Sequence, residues 1–351
     1  MKKLFLISIS ALSTFLVLSY SSCKLDNIAD ANQSVNQQLL NDAFNTLANV
    51  EGIKSIIVSQ NDSIINEQYF NSSGPEVAHD IRSVTKTVTA LLIGIAIDKG
   101  YIASVEDEIG THLTPIVGNI SSNKSNLKLK HFLTMSSGLE WYEWGNYNEY
   151  NNWWNSSDQI TYLLNRDFAY TPGSYFNYNS AGSHLLSIIV SQSTGMSTED
   201  FADQFLFTPL GINFQSWKKD KRGFNNGAAG LSLTPYDMQK IGNLLLHKGS
   251  YKNKRIVSEN WITEQSKYHI STNNANSFSN GYGYQTWLWE KPTNSWYYAM
   301  GYGGQFIIVV PEKKLVVTAS CEWQTISSNT ADNNWLTIMD TIANSIIPAF
   351  R

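Results

Sequence analysis

Ser83 and Lys86 are the residues in this chain whose types and spacing suit covalent chemistry. A serine hydroxyl becomes a useful nucleophile when a base takes its proton. A lysine three residues further along a helix lies on the same face, with its amine within reach of the serine oxygen. The residues that follow supply such a helix: Val84, Val88, Leu91, Leu92 and Ile95 recur at helical spacing, and Lys99-Gly100 gives a basic last turn and the glycine on which helices end. Ser83 stands at its start, where free N–H groups of the first turn point toward a forming oxyanion. A lysine one turn into an apolar helix is partly desolvated and near the positive helix end, and both effects favour its neutral, proton-accepting form. The bland reading makes Ser83 a cap and Lys86 a solvated lysine. Ser-x-x-Lys also occurs at Ser21, Ser121, Ser125 and Ser216, so the spacing alone says little; only the copy at Ser83 opens a long apolar helix.

The elements that must position this pair can be read along the 351 residues, enough for one large domain or two lobes. With 42% hydrophobic and 15% charged residues the chain is globular in composition, and a net charge of -4 without a basic stripe argues against a nucleic-acid partner. No zinc-ligand spacing appears, and no metal or organic cofactor is expected. Lys54 to Val58 and Ser63 to Tyr69 alternate as a hairpin around Gln60-Asn61-Asp62. After Gly100 short helices and loops are expected, forming a helical lobe over residues 105–225. Strands return late, in Gly281 to Trp289, Ser295 to Met300, Phe306 to Val310 and Leu315 to Cys321, before a closing helix from Trp335 to Ala349. The expected fold class is α/β (α+β): an antiparallel sheet flanked by helices, with an inserted all-helical lobe, in a domain spanning 39–351.

The N-terminus reads as a targeting segment. Met1-Lys2-Lys3 is basic, and Leu4 to Leu18 is an apolar run too short for a comfortable membrane span. Ser21-Ser22 then precede Cys23, which resembles a bacterial lipoprotein signal over 1–22 with Cys23 acylated; Tyr20 leaves an ordinary secretory signal open. Export to the cell envelope (periplasm or outer membrane) follows on either reading, with a lipid anchor as the expected membrane contact and residues 23–38, rich in Asn, Ser and Gln, as a tether. Cys321 is then left without an intramolecular partner and reads as a packed strand thiol.

Arg82-Ser83-Val84-Thr85-Lys86 and the helix after it resemble the first motif of the serine β-lactamase and penicillin-binding-protein superfamily. Pro172-Gly173-Ser174-Tyr175-Phe176-Asn177-Tyr178-Asn179-Ser180 resembles the second motif of class C β-lactamases and their esterase relatives. There, a Tyr-x-Asn shares the serine's proton traffic. The matching positions are Tyr178, Asn179 and Ser180, although Tyr175-Phe176-Asn177 offers the literal pattern in a shifted register. Gly301-Tyr302-Gly303-Gly304-Gln305 resembles the third motif, a wall of the cleft. The resemblance implies the β-lactamase/transpeptidase-like fold and a catalytic set of Ser83, Lys86 and Tyr178. It further implies an oxyanion amide at Gln305 and substrate contacts from Ser180, Tyr302, Gly303 and Gly304. His131, in a run common to the superfamily, is taken as structural, as is the segment Ala228 to Met238.

Two departures shape the substrate expectation. Ser180 stands where the family carries asparagine, and Tyr302 where it carries lysine or histidine. Both weaken recognition of an anionic β-lactam and resemble the 6-aminohexanoate-dimer hydrolase and esterase branch. The expected function is an exported serine hydrolase that cleaves an amide or ester of a small molecule or peptide through a Ser83 acyl-enzyme. A β-lactamase or D-amino-acid peptidase is the alternative, and a non-catalytic penicillin-binding or sensor lipoprotein the alternative of another class. The aromatic share of 13% leaves Trp141, Tyr142, Trp144, Trp153, Trp154, Trp287, Trp289 and Trp296 open as cleft lining or scaffold.

Overall fold

The computed structural model describes residues 35–144 and 147–351. The signal segment, Cys23 and all but the end of the expected tether lie outside the described residues. Regular structure begins earlier than Leu39. Val35 forms a bridge with Phe350, and helix α1 (Gln37–Ala48) opens with the Asn36 side chain accepting the Leu39 N–H. Polar composition hid this start, but Leu40, Ala43, Phe44 and Leu47 fall three and four apart and bury one face.

The scaffold is a seven-stranded sheet: β1 (Ile53–Gln60), β2 (Ser63–Tyr69), β3 (Gly281–Tyr282), β4 (Trp287–Trp289), β5 (Trp296–Gly301), β6 (Gln305–Val310) and β7 (Leu315–Cys321). Their spatial order is β2-β1-β7-β6-β5-β4-β3, with every neighbouring pair antiparallel. The β1–β2 hairpin turns through Asn61 and Asp62, whose φ angles of 50° and 65° give the twist that two-residue hairpins favour.

Both faces of the sheet are covered by helices, and the strands alternate between them. Phe306, Ile308 and Val310 pack with α1 and with residues of a late helix, Ser328–Thr341, while Ile307 and Val309 pack with Val84–Asp98 (α2) on the other side. The further helices that carry the argument are α3 (Ser180–Thr194), α4 (Pro235–Leu246) and α5, the late helix Ser328–Thr341. Between α2 and α3 the chain forms short helices, from Ile109–Val117 to Gln159–Leu164, that pack mainly around α3, which in turn packs on α2.

α2 is enclosed on all sides, and every residue from Val84 to Ala96 is buried. A helix in that position must satisfy its own polar side chains. Thr87 Oγ1 donates to the Gln285 carbonyl at 2.7 Å and Thr89 Oγ1 to the Gly227 carbonyl at 2.9 Å. The expected strand from Gly281 to Trp289 is broken in two for the same reason. Gln285 takes a left-handed φ of 51°, and its side chain reaches the Phe132 carbonyl at 2.6 Å and Ser183 Oγ at 2.8 Å. This break therefore joins sheet, α2 and α3.

The loop before α2 is pinned as well. His79–Asp80 pairs with Leu231–Leu233, and the Ile81 N–H donates to the Leu231 carbonyl at 2.9 Å. Among the described residues no helix is long and apolar enough to cross a membrane.

Candidate active site

Ser83 sits at the junction of that loop and α2, with helical backbone angles, and its side chain does not cap the helix. The N–H groups of Val84, Thr85 and Lys86 bond back to the carbonyls of Ile81, Arg82 and Ser83. The first turn therefore does not offer the row of free donors its sequence suggested. Ser83's own N–H has no acceptor among the described residues, and it is the first-turn donor left for an oxyanion. Arg82, immediately before it, holds a left-handed φ of 50° that a non-glycine residue adopts at a cost of about 1 to 3 kcal/mol. The conformation is held by an Arg82 N–H to Asp80 Oδ1 bond of 2.9 Å and by the guanidinium lying 4.1 Å from the Trp323 ring centre.

Lys86 is 2% exposed. Its Nζ lies 2.9 Å from Ser83 Oγ and 2.9 Å from the Ala228 carbonyl oxygen. Burial pushes the amine from 10.5 down to about 7; the Glu143 carboxylate opposes that shift and the Arg82 charge adds to it. At neutral pH a large share of Lys86 is therefore an uncharged amine, with a lone pair to offer the serine proton.

Tyr178 stands directly before α3, whose N-cap is Asn179. Its ring centre lies 5.0 Å from Lys86 Nζ, and it is held against Trp144 at 5.3 Å and Trp287 at 5.8 Å. The shifted register is excluded by position. Tyr175 is exposed and stacks on Tyr170 at 4.1 Å, while Asn177 Nδ2 donates to the Trp141 carbonyl at 2.9 Å.

Ser180 is fully buried, and its hydroxyl donates to Glu143 Oε1 at 2.6 Å. Glu143 Oε2 accepts the Ser180 N–H at 2.8 Å and Trp141 Nε1–H at 2.9 Å. The family's asparagine position thus reaches the cleft through a carboxylate supplied by a residue 37 positions upstream.

The third stretch is placed differently from the sequence expectation. Gly301 pairs with Gln305 at the end of the β5–β6 ladder, so residues 302–304 form the hairpin turn between them. Gln305 is fully buried, and its side chain turns into the sheet, donating to the Cys321 carbonyl at 2.6 Å and accepting the Cys321 N–H at 3.2 Å. Gly303 and Gly304 have φ of 81° and 106°, and a Cβ on them would meet Trp323 Cβ at 2.8 Å and Ile338 Cδ1 at 2.6 Å. Gly303 and Gly304 shape the turn and Gln305 opens β6 after it, while Met300, Gly301 and Tyr302 line the same cavity as Ser83. Gly301 is pressed against the loop before Ser83, for a Cβ there would lie 2.5 Å from the Ile81 carbonyl oxygen.

Together these groups surround a cavity of about 280 Å³. It is lined by Arg82 and Ser83 at the head of α2, by Glu143, Trp144, Tyr150 and Tyr178 from the segment before α3, by Ala229, by Met300, Gly301 and Tyr302 at the end of β5, and by Asp332 and Trp335 of α5. Among the described residues no group of three or more His, Cys, Asp and Glu side chains is gathered to hold a metal ion.

Residues 47–337, a span that contains all three motif stretches, match the profile of the Beta-lactamase family. The chain belongs to that family. It is 22% identical over 223 residues to the 6-aminohexanoate-dimer hydrolase of Paenarthrobacter ureafaciens, a match covering 59% of this chain and 55% of that protein. The chain therefore spans about half the length of this relative. Its fold is similar to that of the octameric penicillin-binding protein homologue from Pyrococcus abyssi, with a TM-score of 0.69 at 20% identity over 90% of this chain and 78% of that one. It is likewise similar to EstCE1, a hydrolase with promiscuous acyltransferase activity, with a TM-score of 0.70 at 16% identity over 88% and 99%. The β-lactamase/transpeptidase-like architecture expected from the sequence, an antiparallel sheet with helices on both faces, is the one found.

Within this β-lactamase-family site, Glu143, Tyr150, Asp332 and Trp335 line the cavity without having been singled out in the sequence. The aromatic residues left open divide. Trp144 lines the cavity and Trp287 backs Tyr178, whereas Trp141 and Trp153 are core residues 1% and 0% exposed. His131 lies elsewhere, its Nδ1 accepting the Lys128 N–H at 3.2 Å at the head of a short helix. Cys321 is a packed thiol on β7, pushed up to about 12 by burial. Ala228, read from sequence as scaffold only, supplies the carbonyl that holds Lys86.

Proposed function

We propose that this chain is a serine hydrolase that opens an amide or ester through an acyl-enzyme on Ser83. The observation that carries the reading is a buried lysine amine, pushed down to about 7, 2.9 Å from the oxygen of a serine that lines a cavity. Ser83 Oγ bonds to the substrate carbonyl carbon while its proton passes to Lys86, with Tyr178 beside the amine. The carbonyl π electrons move to oxygen, where the Ser83 N–H and the backbone of Gly301–Tyr302 opposite it would receive the charge. Collapse breaks the bond to the leaving nitrogen or oxygen, which takes the proton from Lys86 or Tyr178. Water then adds to the acyl ester, releasing the acid and restoring the serine.

Amide and ester substrates are placed ahead of anionic β-lactams by charge. The cavity wall carries two carboxylates, Glu143 and Asp332, against the single guanidinium of Arg82, and the motif resemblance sets Tyr302 where the family carries a cation. Similarity to a 6-aminohexanoate-dimer hydrolase and to EstCE1 supports the same order. The test compares p-nitrophenyl esters, a chromogenic cephalosporin and short D-amino-acid peptides, with wild type and Ser83→Ala side by side. Turnover of the ester or an amide that vanishes in Ser83→Ala is expected, and turnover of the cephalosporin alone would reverse the substrate order.

Export and lipidation belong to the same proposal and rest on the sequence Met1 to Cys23. Detergent-phase partitioning that is lost in Cys23→Ser is the expected result, and wild type remaining in the aqueous phase would refute the anchor.

A further inference from the structure

Behind the site lies a buried hydrogen-bonded pair that the proposed chemistry does not use: His184 on α3 and Asp220, both with fully enclosed side chains. A pair without water around it is costly to keep unless its bonds are complete. Here they are. His184 Nε2 and Asp220 Oδ2 are 2.9 Å apart, and Asp220 Oδ1 accepts the backbone N–H groups of Arg222 and Phe224 at 2.9 Å each. The other ring nitrogen, His184 Nδ1, accepts the Gly227 N–H at 3.3 Å. Since Nδ1 accepts, the ring proton is assigned to Nε2, donated to Asp220. Burial acts to raise the Asp220 carboxyl, but the His184 bond and the two backbone donors outweigh it and hold the carboxyl below its usual value.

Gly227 is the residue before Ala228, whose carbonyl receives Lys86 Nζ at 2.9 Å. The same short segment is fastened on every side. Thr89 Oγ1 donates to the Gly227 carbonyl at 2.9 Å, Trp217 Nε1 to the Asn226 carbonyl at 2.8 Å and Ser187 Oγ to the Asn225 carbonyl at 2.8 Å. A Cβ on Gly227 would lie 2.5 Å from the Ser183 carbonyl oxygen, so its backbone rests directly on α3.

We infer that His184 and Asp220 are positioning residues for Lys86: Asp220 fixes the His184 tautomer, His184 holds the Asn226–Gly227 peptide through the Gly227 N–H, and the segment held there carries the Ala228 carbonyl, two peptide units further on, to the lysine amine. An amine with one N–H committed to Ala228 presents its lone pair toward Ser83. Displacing the carbonyl leaves the amine without that orientation and, because a carbonyl bonds the charged ammonium more strongly than the neutral amine, lowers its proton affinity. The other groups facing Lys86 are Ser83, the Tyr178 ring, the Glu143 carboxylate and the Arg82 guanidinium.

Asp220→Asn is the sharp test. Two backbone donors retain the asparagine oxygen, so its NH₂ group faces His184 Nε2 and forces the ring proton onto Nδ1, where it opposes the Gly227 N–H. The inference rests on the Lys86 role proposed above only for its catalytic readout. Carbon-13 NMR of labelled lysines, with Lys86 assigned by its absence in Lys86→Met, reads the amine's titration whether or not the protein turns over. The expected result is a Lys86 midpoint at least half a pH unit below that of wild type, with ester acylation slowed about 10- to 100-fold. His184→Asn, whose oxygen occupies roughly the place of Nδ1, should restore the wild-type midpoint, whereas His184→Leu should not. If Asp220→Asn unfolds, the two His184 variants decide. Folded Asp220→Asn or His184→Leu with the wild-type midpoint, or with a raised one, would overturn the inference. Wild type that titrates as described but fails to acylate would instead refute the serine-hydrolase reading.

Discussion

Replacing Lys86 with methionine removes the amine while nearly keeping its length and volume, and the structure sets how stability should respond to pH. The unfolded chain holds this lysine near 10.5, while burial puts it at about 7 in the fold. Between those values the unfolded state binds a proton that the folded state does not, so the lysine's contribution to stability rises with pH through the whole window. Each tenfold difference in proton affinity between the two states is worth about 1.36 kcal/mol, so the penalty for burying the amine is about 4 kcal/mol at pH 7.5 and about 1.4 kcal/mol at pH 9.5. The methionine variant lacks this contribution. Its absolute stability also reflects the lost partners of Ser83 Oγ and the Ala228 carbonyl, on the order of 1 to 3 kcal/mol each, but that loss does not change with pH. The informative quantity is therefore the difference between wild type and Lys86→Met, measured by urea unfolding at both pH values. Wild type should gain about 2.5 kcal/mol on the variant between pH 7.5 and 9.5. A difference that stays flat across this range would mean that Lys86 titrates as an ordinary lysine, and the base assignment would fall with it.

Acylation by an ester should rise with pH through about 7 as Lys86 loses its proton, which stopped-flow release of p-nitrophenol would follow. Glu143→Gln removes the carboxylate that opposes the downward shift of Lys86, so the acidic limb should move to lower pH, with a stability loss of about 1 to 3 kcal/mol from the weakened Ser180 and Trp141 bonds. Tyr178→Phe keeps the ring against Trp144 and Trp287, so its melting temperature should stay close to wild type while acylation falls by about 10²- to 10⁴-fold. Gly301→Ala places a methyl group against the Ile81 carbonyl oxygen and should cut activity far more than far-ultraviolet circular dichroism changes.

How much of this was legible in the sequence depended on whether a contact was local. Ser83 and Lys86 share the first turn of a long apolar helix, and Tyr178 stands between Pro172-Gly173 and another helix, so the resemblance to the family's motifs could be drawn on these local stretches where spacing alone said little. Glu143 could not, because its importance lies in a bond to Ser180 across 37 positions that include two short helices. The one available signal was the substitution at Ser180 itself: a hydroxyl where an amide is usual needs a new partner. The third stretch was harder to read, because two left-handed glycines make the β5–β6 turn, the Gln305 side chain bonds Cys321 inside the sheet, and Gly301 and Tyr302 line the cavity with Ser83. Ala228 gave no signal at all, since the group it contributes is a backbone carbonyl.

The central claim is that Ser83 carries an acyl group. Intact-protein mass spectrometry after brief exposure of wild type and Ser83→Ala to a p-nitrophenyl ester tests it most directly. The mass of one acyl group should be added to wild type, be absent from Ser83→Ala, and map by peptide digestion to the segment that contains Ser83. An adduct equally present on both proteins, or none on wild type while it remains folded, would contradict it.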